Sequence, residues 1–150
     1  MSDIDPSLWR NCFGEDDPFL RWDFLHSLES TGCTTAQSGW QPAHIQLERL
    51  GSPLGFVPAY VKGHSYGEYV FDWSWAEAWQ RMGLEYYPKL VTAVPFTPAT
   101  GQRLWYDSEH HNALSDVVYG VQALCSSLEV SSWHVLFLEQ AQSDALVDLG

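Results

Sequence analysis

A strand, a long amphipathic helix and a second strand follow one another in the last 61 residues, and this order constrains the fold most strongly. Residues 90–96 form an apolar, partly β-branched run with the length of a strand, and residues 133–138 form another. Between them, helical spacing over residues 108–127 produces an apolar stripe: Leu114, Val117, Val118, Val121, Leu124, Cys125 and Leu128. A helix with one apolar face has to bury it, so we expect this helix to pack on a sheet.

The rest of the chain alternates between the two periodicities in the same way. Further helices are predicted at residues 18–30, 73–82 and 140–148, and further strands at residues 43–49, 54–62 and 69–71. Asp17 with Pro18 and Asp72 provide the predicted helix starts. Residues 1–16 show little periodicity and are predicted to be an irregular lead-in. The order of elements therefore predicts one α/β (α+β) domain over residues 17–150, with a mixed sheet flanked by helices.

The charge of the chain excludes several classes of function. Seven Lys and Arg stand against nineteen Asp and Glu, which gives a formal net charge of −12. Such a chain repels phosphate backbones and anionic lipid headgroups, so we predict no specific nucleic-acid surface. No apolar run approaches the length of a membrane span, no basic leader opens the sequence, and three cysteines lack CxxC spacing. The default expectation is a cytoplasmic protein.

The segment Gly-His-Ser-Tyr-Gly at residues 63–67 matches the G-x-S-x-G pattern of serine hydrolases. Ser65 would be the nucleophile, and Asp116 and His134 could complete a triad in chain order. That pattern requires a strand before the serine and a helix after it, whereas residues 68–71 are β-branched and aromatic. A glycine-flanked turn between strands is the favoured interpretation, and a serine hydrolase stays as the third functional hypothesis.

Metal-binding residue types occur without a diagnostic spacing. The candidates are His64, Glu68, Glu109, His110 and His111. Gly67 argues against a helix that would bring His64 and Glu68 to one face, and adjacent histidines on a helix point about 100° apart. No metal site is therefore predicted.

Two longer stretches resemble a known bacterial family. They are Lys-Gly-His-Ser-Tyr-Gly-Glu-Tyr-Val-Phe-Asp-Trp-Ser-Trp at residues 62–75 and Tyr-Tyr-Pro-Lys-Leu-Val-Thr-Ala-Val-Pro-Phe-Thr-Pro-Ala-Thr-Gly at residues 86–101. Shorter agreements occur at residues 18–20 and 39–42. From about residue 16 onward the chain is similar to the FemAB-like predicted N-acyltransferases, also called peptidoglycan biosynthesis/recognition proteins, which have a GNAT-like fold.

The resemblance implies transfer of an acyl or aminoacyl group from an activated donor to an amine acceptor. The donor would be an acyl-coenzyme A or an aminoacyl-tRNA, with no permanently bound cofactor. The consensus pyrophosphate loop of acetyl-coenzyme A enzymes is absent, so the donor need not be coenzyme A. Family members pair two GNAT-like halves, and this chain looks like the first, so its partner would be the missing C-terminal half.

Such a transfer needs a base and donors for the developing oxyanion. The candidate catalytic residues are Glu68 and His64 as bases and Tyr66 as a donor. Tyr69 is a second candidate hydrogen-bond donor, and Lys62, Lys89 and Arg103 are candidates for binding the anionic part of the donor or acceptor. Thr97 and Thr100 belong to a loop, residues 97–101, whose backbone amides could contact a phosphate near Arg103. A simpler interpretation is that Glu68 only pairs with Lys89.

The alternative function is a non-catalytic module that recognises a cell-wall precursor or a sugar. Aromatic residues make up 15% of the chain, and sugars stack on exposed aromatic rings. An exposed row among Trp73, Trp75, Trp79 and Trp105 would favour this hypothesis, whereas burial of these rings would indicate an ordinary core.

Overall fold

The structure, a computed structural model, describes residues 1–149, which fold into five helices and two sheets. The helices are α1 (Pro6–Phe13), α2 (Trp22–Ser30), α3 (Trp73–Arg81), α4 (Ala113–Ser127) and α5 (Gln140–Val147). The strands are β1 (Gln41–Pro42), β2 (Ile45–Arg49), β3 (Ser52–Val57), β4 (Tyr60–Lys62), β5 (Lys89–Thr92), β6 (Trp105–Tyr106) and β7 (Trp133–Val135). The predicted α+β class and the predicted hairpin at β2 and β3 are confirmed.

One sheet is mixed and the other is antiparallel. The mixed sheet has the strand order β1-β4-β5-β7, in which only β5 and β7 run parallel. The second sheet has the order β2-β3-β6. Parallel neighbours require a long crossover, and α4 lies in the connection between β5 and β7. Val117 and Val121 of α4 are fully buried in the core between the helix and the sheets, as the apolar stripe predicts.

The two faces of the mixed sheet have different environments. Because side chains alternate along a strand, Val61, Leu90 and Trp133 share one face and pack into the same core as α4. The opposite face carries Tyr60, Lys62, Lys89, Val91 and His134. The polar residues of this second face are the basis of the site described below.

The prediction of an irregular lead-in at residues 1–16 was wrong, because α1 forms there. Asp5 caps this helix by accepting hydrogen bonds from the backbone N–H groups of Ser7 and Leu8 at 2.7 and 3.1 Å. Trp9 and Phe13 are buried, and the Trp9 ring lies 5.6 Å from that of Phe56. A helix of eight residues shows too few turns for its periodicity to be visible in the sequence.

The expected strand at residues 69–71 does not form. Tyr69 has a φ of 60° and Gly67 a φ of 79°, and two left-handed residues interrupt an extended chain. Two helices are also shorter than predicted, since α2 begins at Trp22 and α4 at Ala113. With 15 residues α4 is the longest helix, and within residues 1–149 no helix has the length and apolarity needed to cross a membrane.

The close contact between α4 and β3 predicts that a side chain at Gly55 would destabilise the fold. A Cβ atom at Gly55 would lie 2.1 Å from Cγ2 of Val117, so Gly55→Ala would force the helix away from the sheet. We expect the free energy of unfolding in urea to fall by about 1–3 kcal/mol. Gly63→Ala is the matched control, because no atom lies within 4 Å of its added Cβ. An equal effect of both substitutions would contradict this account of the packing.

Candidate functional site

Two buried lysines face each other across neighbouring strands. Lys62 of β4 pairs directly with Lys89 of β5, and their exposed fractions are 0% and 1%. Like charges directly opposite each other on a sheet destabilise it, and the effect is larger where water is excluded. This pair therefore requires negative charge from another part of the chain.

Glu68 supplies part of that charge by lying between the two ammonium groups. Its Oε2 is 2.8 Å from Nζ of Lys89, and its Oε1 is 3.9 Å from Nζ of Lys62. The turn after β4 brings it there, with Glu68 N–H donating to the carbonyl of Ser65 at 3.2 Å. The expected pairing of Glu68 with Lys89 is thus present, and it is part of a larger cluster.

Lys62 is held by two further contacts. Its Nζ donates to the backbone carbonyl of Tyr66 at 2.9 Å. The same atom lies 3.7 Å from the centroid of the Trp40 ring, which gives a cation–π contact. Lys62 is therefore fully engaged by protein groups on the inner side of the turn.

Asp72 supplies the second negative charge. Its carboxylate accepts hydrogen bonds from Tyr86 at 2.6 Å and from Tyr87 at 2.9 Å, and also from Ser65 and Lys89. The residue stands at the start of α3, as predicted, but its side chain makes no capping hydrogen bond. The capping role expected for Asp72 was wrong, because the carboxylate turns inward to the lysine.

Burial and pairing shift the protonation equilibria of the cluster in opposite directions. Burial raises the pKa of the Glu68 carboxyl, although Lys89 and Lys62 oppose the rise. Burial lowers the pKa of the Lys62 ammonium to about 8, and Glu68 only partly offsets this. Burial also acts to raise the pKa of Asp72, but the hydrogen bonds from Lys89, Ser65 and the two tyrosines outweigh it and hold the pKa well below its usual range.

A cavity of about 300 Å³ opens beside this cluster. Its polar lining comes from Glu68, Asp72, Tyr86, Lys89, Ser132 and His134, and its apolar lining from Val70, Trp75, Trp79 and Leu136. Oε1 of Glu68 is buried and has no hydrogen-bond partner among the described residues. A small polar group could therefore bind next to a carboxylate and an ammonium, with aromatic rings around the apolar part of the molecule.

Three predicted catalytic or binding residues lie outside this cavity. Tyr66 and Tyr69 are exposed, and neither lines it. His64 lies over Gly39, and its Nδ1 accepts a hydrogen bond from the backbone N–H of Tyr66 at 3.2 Å. The structure thus brings Lys62, Glu68 and Lys89 together, whereas the side chains of the other three lie outside the cavity.

The predicted anion-binding group around residues 97–103 also lies apart from the cluster. Arg103 is buried, and its guanidinium donates to the backbone carbonyls of Leu136 and Gln102 at 2.8 Å and to that of Ala99. These bonds fasten the loop before β6 to the end of β7. Thr97 donates to the carbonyl of Pro95, and Thr100 is exposed. None of the predicted residues Thr97, Thr100 and Arg103 lines the cavity.

Ser65 lacks the surroundings of a serine nucleophile. Its hydroxyl contacts the Asp72 carboxylate and the Tyr87 hydroxyl, and no imidazole hydrogen-bonds to it within residues 1–149. His134 hydrogen-bonds to Ser132 instead. A turn, not a helix, follows Ser65. The serine hydrolase hypothesis was wrong, and the favoured turn is confirmed, although it leads from β4 to α3 and not to another strand.

Sequence reasoning missed most of the cavity wall. The site role of Asp72, the aromatic lining and the positions of Ser132 and His134 were not foreseen. The sequence signal for His134 was indirect. The strand–helix–strand order predicts that β7 lies beside β5, but only the pairing of Val91 with His134 shows that the His134 side chain lies on the same face as Lys89.

The site and the α+β fold define a protein with a small, largely apolar cavity beside a buried ion-pair cluster at one face of a mixed sheet. The family model described as peptidoglycan biosynthesis/recognition, FemAB-like, matches residues 1–150, and the chain belongs to that family. No curated protein and no solved structure matches the chain. The resemblance stated above is therefore confirmed, and with it a role related to the bacterial cell wall.

The shifted equilibrium of Lys62 predicts how stability depends on pH. In the unfolded chain a lysine keeps its proton up to about pH 10.4, whereas Lys62 in the folded chain releases it near pH 8. Between these values the unfolded state binds more protons, so the free energy of unfolding should rise with pH relative to that of Lys62→Met. Urea unfolding of both proteins from pH 7 to pH 10 measures the difference. A difference that is constant or falls over this range would contradict the assignment.

Proposed function

We propose that the protein takes part in N-acyl transfer, moving an acyl or aminoacyl group to an amine acceptor in the cavity beside Glu68 and Lys89. The observation that carries the proposal is the buried Glu68–Lys89 ion pair at the wall of a cavity of about 300 Å³. It offers an acceptor for an amine and a donor for a carbonyl oxygen within one small, largely apolar space. Membership of the FemAB-like family supports a substrate from the cell wall.

The two charged groups suit different atoms of the reaction. The Glu68 carboxylate, which lines the cavity, can accept a hydrogen bond from the attacking amine and orient it. The Lys89 ammonium can donate to the oxygen that gains negative charge as the amine adds to the acyl carbonyl. Lys62 acts through Glu68, since it is buried behind that carboxylate and is absent from the cavity wall.

The acyl donor, the cellular location and the partner follow from the same reaction. An acyl-coenzyme A or an aminoacyl-tRNA would be the donor, which favours a cytoplasmic reaction. A second GNAT-like half would supply the remaining substrate contacts. Support for such a partner comes from the exposed aromatic residues next to the cavity, because an extended exposed apolar patch marks an interaction surface.

A substitution of equal shape tests the role of Glu68. Glu68→Gln keeps the volume but removes the charge, and we expect transfer to fall about 100-fold or more, because the amine loses a charged hydrogen-bond acceptor and Lys89 loses its ionic partner. The assay follows radiolabel from acetyl-coenzyme A or a charged tRNA to a muropeptide with a free amine. Glu77→Gln on the exposed side of α3 is the matched control and should transfer at the normal rate.

A second variant separates catalysis from stability. Lys89→Ala alone would leave two buried carboxylates without their partner, which costs about 3–5 kcal/mol. Glu68→Gln combined with Lys89→Met removes one charge of each sign and should stay folded but inactive. Normal turnover by either the single Glu68→Gln variant or this double variant would remove the proposed site.

Recognition without catalysis is the second candidate, and two tryptophans favour it. Trp73 and Trp75 are 56% and 65% exposed, whereas Trp79 and Trp105 are partly buried. The Phe71 ring lies 5.1 Å from that of Trp73, so the exposed rings adjoin. Exposed aromatic rings such as these can stack on the apolar faces of sugars.

Binding to insoluble peptidoglycan tests this candidate. If Trp73 and Trp75 contact the glycan, the Trp73→Ala/Trp75→Ala variant should bind about tenfold more weakly in a sedimentation assay, a loss of about 1.4 kcal/mol. Tyr119→Ala on α4 is the control, because Tyr119 is also highly exposed but lies on another element. Unchanged sedimentation of the double variant would eliminate recognition through these rings.

A further inference from the structure

A chain of hydrogen bonds runs along the start of β7 and ends at His134. The Ser131 hydroxyl donates to the backbone carbonyl of Tyr86. Oγ of Ser131 lies 3.2 Å from Oγ of Ser132, and Oγ of Ser132 lies 2.8 Å from Nε2 of His134. Tyr86, Ser132 and His134 all line the cavity, so the chain connects one part of its wall to another.

The chemistry of the carbonyl fixes the direction of every bond in this chain. A carbonyl oxygen can only accept, so the single hydroxyl proton of Ser131 is used on Tyr86. Oγ of Ser131 can then only accept, and the proton between the two serines belongs to Ser132. Oγ of Ser132 must in turn accept from His134. The proton on the imidazole is therefore on Nε2, and Nδ1 carries a lone pair.

The groups around His134 keep the ring neutral and leave Nδ1 available. Nδ1 makes no hydrogen bond within residues 1–149. The charged and titratable groups that share the cavity wall with the ring are Lys89 of β5, Glu68 and Asp72 from the segment before α3, and Tyr86, whose ring lies 5.9 Å away. Burial lowers the pKa of His134, Lys89 lowers it further, and Asp72 only partly opposes them.

We propose that Nδ1 of His134 is the proton acceptor of the transfer reaction, an inference that rests on the proposed function. The amine nitrogen forms a bond to the acyl carbon, and the proton it must lose passes to Nδ1. The bond from that carbon to the donor's sulfur or oxygen then breaks, and the imidazolium returns the proton to the leaving thiolate or alkoxide. His134 ends neutral, and no redox partner is required.

Glu68 is less suited to this step than His134. Both oxygens of Glu68 face lysine ammonium groups, at 2.8 and 3.9 Å, which stabilises the carboxylate as an anion. Although burial raises the pKa of Glu68, a proton taken up there would have to displace its ion pair with Lys89. Glu68 therefore orients the amine while His134 receives the proton, and the two residues stand at different parts of the same wall.

Nitrogen NMR of the imidazole tests the tautomer without any substrate. In the full chain labelled with ¹⁵N-histidine and measured at pH 7.5, His134→Gln identifies the signals by their loss. We expect a protonated Nε2 and an unprotonated Nδ1. Ser131→Ala should weaken this preference and produce a mixture of tautomers, since Ser132 is then free to donate to the ring. A protonated Nδ1 in the unmodified chain would overturn the proposal.

The transfer assay with radiolabelled acetyl-coenzyme A or charged tRNA tests the catalytic role. His134→Gln should lower kcat about 100-fold or more and abolish the decline of kcat on the acid side of the pH profile. His111→Gln is the matched control, because His111 is exposed, and it should keep both the normal kcat and its decline on the acid side of the pH profile. If the unmodified chain transfers and His134→Gln retains its kcat and its acid limb, the role of His134 is overturned while the proposed function stands. If the unmodified chain transfers nothing, the proposed function fails and this role fails with it.

Discussion

The repulsion between two lysines on adjacent strands determines the structure of this site. Lys62 and Lys89 are opposite each other by register and are both buried, so the sheet is stable only if carboxylates are brought to them. Glu68 and Asp72 come from a single segment, the one that leaves β4 and leads into α3. The turn at Gly67 and the left-handed conformation of Tyr69 are the local consequences of directing these carboxylates inward.

The same requirement explains why aromatic side chains cover the outside of that segment. Between residues 66 and 75 the only two charged side chains point into the molecule. The outward positions are uncharged and mostly aromatic, with exposed rings at Tyr66, Tyr69, Phe71, Trp73 and Trp75. The ion-pair cluster and the aromatic surface are therefore two sides of one segment. Catalysis and recognition, the two functions proposed above, would use the same part of the chain.

The parts of the fold that the sequence predicts are those with long periodicity. The apolar stripe of α4 and the alternation in β2 extend over enough residues to distinguish helix from strand. The eight residues of α1 are too few to make that distinction. The strand predicted at residues 69–71 does not form, because aromatic side chains favour a strand only where a sheet is present to pair with it. In the site, the quoted motifs point to Glu68 and Lys89, which lie together in the structure, whereas Arg103 lies away from them. A positive charge in a sequence does not show whether backbone carbonyls already occupy its donors, as Leu136, Gln102 and Ala99 do here.

The engagement of the buried cations restricts where a phosphate-bearing donor can bind. Within residues 1–149 the fully buried cationic side chains are Lys62, Lys89 and Arg103. The first two are balanced by Glu68 and Asp72, and the third is used by backbone carbonyls. A diphosphate or an RNA backbone placed in the cavity would meet two carboxylates and no unpaired positive charge among the described residues, and desolvating it there would be strongly unfavourable. The cavity therefore suits the neutral reacting groups, an amine and a carbonyl, and the charged remainder of such a donor has to be held outside it.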